Sequence, residues 1–186
     1  MPEFPPIPAW DSLHPLIVHF PIVLLLLSPV FILVSAIPPP PKGRPYMAVG
    51  LALLVLGTGS LFMAAETGEA AARLAQRSGA IDAVLAVHRD LATESEIVFT
   101  VLSAILLGTV LLPRFLRRQE TRLTSTFLPL LFLVLYGAGI VFVVNTAHAG
   151  ARLVHQFGVH AIIPLDSSQS RGSSVASHPA RILDEN

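Results

Sequence analysis

PLIVHFPIVLLLLSPVFILVSAI, residues 15–37, runs for 23 residues without a single Asp, Glu, Lys or Arg. Coiled as an α-helix it rises about 34 Å, enough to cross a hydrocarbon layer of about 30 Å. Pro15 suits a helix start. Pro21 and Pro29 fall inside the run, where each removes a backbone donor and favours a kink, a defect that membrane helices accommodate. Three further apolar runs follow, so the expected spans are residues 15–37, 46–65, 92–112 and 127–147. The third has only 16 uninterrupted apolar residues, 97–112, so its polar end must project into headgroups or bury its polar side in protein. The fold class these runs imply is all-α: an integral membrane four-helix bundle.

Composition points the same way. Of 186 residues, 53% are hydrophobic and 13% charged, with a mean hydropathy of +0.68, too little charge to clothe a soluble domain of this size. The formal net charge is zero, giving no global attraction to nucleic acid. No cysteine occurs, which rules out disulfides, thiolate metal sites, iron–sulfur clusters and covalent c-type haem attachment within the chain. The first basic residue, Lys42, comes after the first apolar run, opposite to the order in a signal peptide, so that run reads as a retained span.

The linkers set the expected organisation. Residues 1–13 are a short proline-rich segment with Trp10 as an interfacial anchor, residues 14–163 form the membrane domain, and residues 164–186 read as a disordered Ser-rich tail. The turn after span one is Pro38, Pro39, Pro40, Pro41, Lys42, Gly43, Arg44, Pro45. Span two carries the small-residue cluster Gly57-Thr58-Gly59-Ser60, which allows close helix approach in a bilayer. Span three is expected to end before Pro113. Lys42, Arg44, Arg114, Arg117, Arg118 and Arg122 fall in loops on one side with one acid, Glu120, while the other side has six basic and eleven acidic residues. Positive charge marks the cytoplasmic side. Both termini are therefore expected outside; in a bacterium the protein would lie in the inner membrane with its ends in the periplasm.

None of the seven histidines falls in the basic loops. His14 and His19 flank the start of span one, His88 precedes span three, and His148 and His155 follow span four, with His160 and His178 beyond. Spans one, three and four thus deliver imidazoles to one layer, joined by Glu66 and Glu69 from span two. Residues seven apart on a helix share a face but sit about 10 Å apart along it, so His148 and His155 do not serve one small ion together. His19, inside an apolar helix, is the strongest single candidate because ionisable groups there are expensive. His14 reads equally as a helix cap, Asn145 as an interhelical hydrogen bonder, and Glu66 or Glu69 with Arg73 as a surface ion pair.

The octapeptide His14-Pro15-Leu16-Ile17-Val18-His19-Phe20-Pro21 resembles the opening motif of a family of small bacterial membrane proteins, domain of unknown function 2231. The stretch Ala149-Gly150-Ala151-Arg152-Leu153-Val154-His155-Gln156-Phe157-Gly158-Val159 is similar to its closing glycine-rich motif. The resemblance covers about residues 10–163. It implies a four-helix membrane fold and, because such proteins occur beside or fused to cytochrome-like domains, a redox setting. His155 stands where many relatives carry tyrosine, which makes it less secure as a ligand.

The functional expectation is a membrane redox subunit holding b-type haem near the periplasmic face and passing electrons between quinone and a periplasmic carrier or complex. Two imidazoles from facing helices satisfy a haem iron. His19 and His88 are the first-choice axial pair, with His148, His155 and His14 as replacements and Arg152 as a partner for a propionate. The alternatives are zinc or copper held by imidazole and carboxylate, and a cofactor-free structural subunit. The lack of ionisable groups deep in spans two and four argues against a transport path. Expected partners are the lipid bilayer and other membrane or periplasmic redox subunits. No nucleophile–base constellation marks a stand-alone enzyme.

Overall fold

A computed structural model describes residues 8–116 and 121–159. Four helices are long and apolar enough to cross a membrane: α1, His14–Ser35; α2, Arg44–Leu74; α3, Gly79–Phe115; and α4, Leu128–His155, which is entered through a π-type turn, Leu123–Phe127. The expected all-α four-helix class holds. The expected tail, with His160 and His178, lies outside the described residues, as do Arg117, Arg118 and Glu120.

Each helix packs on its chain neighbours, and α4 closes back on α1, giving an up-down-up-down ring. Contact is more extensive inside the hairpins α1–α2 and α3–α4 than between them. Glycine explains the intimacy of the first hairpin: a Cβ at Gly50 would lie 2.7 Å from Ile32 Cγ1 and 3.2 Å from its backbone nitrogen. One at Gly57 would lie 2.7 Å from Leu25 Cδ2, whereas Gly59 faces nothing. Beside Gly50, Ser28 Oγ donates to the Gly50 carbonyl at 2.9 Å.

The prolines act through the acceptors they release. Pro21 cannot donate to the Ile17 carbonyl, and α1 is interrupted at Val18, between His14–Ile17 and His19–Ser35. Pro29 releases the Leu25 carbonyl, which accepts the Tyr136 hydroxyl from α4 at 2.7 Å. Pro113 does not end α3, contrary to the sequence expectation. The helix runs on to Phe115, and Leu116 donates to Leu112 at 2.9 Å, because an apolar setting favours keeping the remaining backbone bonds closed.

The bundle interior is apolar, built on Leu25, Ile32, Leu54, Phe99, Leu102, Leu106, Phe132, Tyr136 and Val143. Phe99 and Phe132 meet the Tyr136 ring edge-on, with centroids 5.4 and 5.9 Å away. Thr58 bridges α2 to α3 by pairing with Ser103 at 2.9 Å while bonding its own helix at Leu54. Outward-facing Phe20, Leu26, Val30, Leu56, Ile97, Leu131 and Val134 present a surface suited to lipid. The chemistry-bearing side chains are left to the two ends.

Candidate functional site: a histidine pair at one end of the bundle

At the end opposite the basic loops, His14 of α1 and His88 of α3 face each other across the bundle. Their ring centroids are 6.5 Å apart and their planes cross at 83°. Both rings are half-buried. His14 Nδ1 lies 2.9 Å from the Ala64 carbonyl of α2, with the Thr67 hydroxyl further away at 3.4 Å. His88 Nδ1 lies 2.9 Å from the Thr146 carbonyl of α4. A carbonyl only accepts, so in both rings Nδ1 carries the proton and donates. In the neutral ring the lone pair is then on Nε2.

The glycines complete the pattern. One helical turn beyond Ala64, a Cβ at Gly68 would lie 2.9 Å from His14 Cε1. One turn beyond Thr146, a Cβ at Gly150 would lie 3.1 Å from His88 Cε1. Each hairpin therefore repeats one device: a histidine on its first helix, a carbonyl on its second, and a glycine four residues after that carbonyl, against the ring. Thr67, fully buried, anchors its hydroxyl to Met63 and Ala64. Thr146 bonds back to Phe142 and meets Ser95 of α3 at 3.2 Å. Across the hairpin boundary, Arg89 and Glu69 form a half-exposed ion pair at 2.6 Å.

The other sequence candidates sit apart from this pair. His19 follows the break at Val18 and is exposed. His148, His155 and Asn145 are exposed on α4, and Arg152 directs Nε to the Gln156 side chain at 3.0 Å. Glu69 pairs with Arg89 rather than Arg73. His14 does not cap α1; its ring reaches across to α2. Among the described residues, no three His, Asp or Glu side chains converge as an ion-binding group. Sequence reading found the histidine layer but missed Gly68, Gly150 and the two acceptor carbonyls. The available signal was the glycine near the polar end of each second helix.

No curated protein and no solved structure matches the chain. The sequence matches a family described as a predicted membrane protein, DUF2231, over residues 11–162, and the chain belongs to that family.

Proposed function

We propose that the protein is a membrane redox subunit in which His14 and His88 would hold a b-type haem, passing electrons between quinone and a periplasmic carrier or complex. One observation carries this reading: two half-buried imidazoles on facing helices, their ring centroids 6.5 Å apart, each with Nδ1 committed to a backbone carbonyl of its own hairpin. Such outer bonds fix the tautomer and orientation of a ligating histidine and raise its basicity. Two imidazoles are a complete protein ligand set for haem and half of one for tetrahedral zinc.

When bound, the haem would supply a one-electron couple. The chain's own part is to hold both rings in place and keep Nε2 deprotonated. Gly68 and Gly150 let each ring lie directly against the second helix of its hairpin, where a Cβ would collide with it.

The test is the spectrum of the full chain, purified in detergent after expression with ample haem precursor. The proposal expects a Soret band and, on dithionite reduction, an α band of b type, at one haem per chain. Absent haem with stoichiometric copper or zinc would favour the metal reading. Absent haem and metal would leave the Nδ1 bonds as staples of a structural subunit.

A further inference from the structure

The opposite end of the bundle holds a cavity of about 840 Å³ between α3, the start of α4 and the α1–α2 turn. Its polarity is graded. At the mouth are Arg44, Thr121, Thr124 and Ser125, and the Ser125 hydroxyl is buried with no partner among the described residues. Further from the mouth it opens sideways toward lipid, between the exposed residues Ala104, Gly108, Leu131 and Leu135. The hydroxyl of Thr109, on the same wall, is spent on the Leu106 carbonyl of its own helix at 2.8 Å, so it adds no polar demand. Along α3 the lining extends from Ala104 to Leu116, a rise of about 18 Å. One bilayer leaflet's hydrocarbon is about 15 Å thick.

We infer that this cavity is a binding site for an anionic glycerophospholipid. Its acyl chain lies along the apolar wall and its phosphate meets Arg44 and the Ser125 hydroxyl at the mouth, the Thr121 and Thr124 hydroxyls being bonded to each other and to their own turn. Length and gradient together select a lipid, since a cavity one leaflet deep and polar only at its mouth repeats the profile of a single lipid. Charge selects the anionic headgroup: Arg44 lines the mouth, and Lys42 and Arg122 lie in the turns on either side of it. Basic pockets between membrane helices recognise such headgroups, each cation contributing about a fivefold gain in affinity. Gly108 borders this open space, where a Cβ would meet nothing within 4 Å and a longer side chain would enter the groove.

Native mass spectrometry of the full chain in detergent, titrated with dioleoyl phosphatidylglycerol, dioleoyl phosphatidylcholine or a long-chain ubiquinone, tests this. Phosphatidylglycerol should bind about tenfold more tightly than phosphatidylcholine. Gly108→Leu should weaken it at least about tenfold, and Arg44→Gln about fivefold while leaving phosphatidylcholine unchanged. Leu135→Phe narrows the cavity from α4 and repeats the test should Gly108→Leu not fold. Gly59→Leu, on an open face, should change nothing. Equal binding of the two lipids, displacement of phosphatidylglycerol by the quinone, or full binding by the cavity-filling variants would overturn the inference.

Discussion

Tyr136 gives its hydroxyl proton to the Leu25 carbonyl, the acceptor that Pro29 leaves open one turn further along α1. A defect written into one helix is thus closed by a residue 111 positions away, and α1 and α4 are joined where the ring of helices closes. In hydrocarbon an unfilled carbonyl has no water to turn to.

Tyr136→Phe should therefore destabilise the bundle by about 1 kcal/mol, in the range found for interhelical hydrogen bonds in membranes. Pro29→Ala restores a local donor for Leu25, so the same Tyr136 change should cost less in that background. Reversible unfolding in mixed micelles of the four proteins of the cycle measures the coupling. A coupling of zero would contradict the reading that Tyr136 fills the acceptor Pro29 leaves open.

Gly50 and Gly57 are not equivalent. At Gly50 a new Cβ meets backbone of α1 as well as Ile32 Cγ1, and backbone yields less readily than a rotamer; at Gly57 it meets only the side chains of Leu24 and Leu25. Gly50→Val should cost about 2–3 kcal/mol and Gly57→Ala about 1 kcal/mol. The same unfolding assay ranks them.

The Glu69–Arg89 pair is half-exposed, and solvent screening limits its worth. Glu69→Gln should shift stability by no more than about 0.5 kcal/mol, and less at high salt. A larger loss would show that the boundary between the hairpins depends on this contact.

The four spans were legible because charge-free runs of this length have one common structural outcome. The histidine layer was legible too, since every imidazole avoids the basic loops. The choice of pair was not. It depends on which face of α1 turns inward: residues five apart lie about 140° apart around a helix, and it is His14 that reaches α2 while His19 is exposed, although both belong to the same motif. It also depends on acceptors that carry no side-chain signature, the carbonyls of Ala64 and Thr146. Gly68 and Gly150 were visible in the sequence, but their meaning appears only when a ring is seen against each.

If haem sits between the rings, those glycines set its occupancy. Gly68→Val and Gly150→Val should each displace a ring and lower the Soret absorbance per chain at least about tenfold, with helicity by circular dichroism retained. Gly59→Val, on an open face of α2, should leave the spectrum unchanged.

The most direct test is the dithionite-reduced minus oxidised difference spectrum of the wild-type chain beside His14→Ala, His88→Ala, His19→Ala and His148→Ala. The account predicts a b-type α band in the wild type and in the His19 and His148 variants, and its loss in the His14 and His88 variants. A band that survives in both of those, or that disappears with His19, would contradict it.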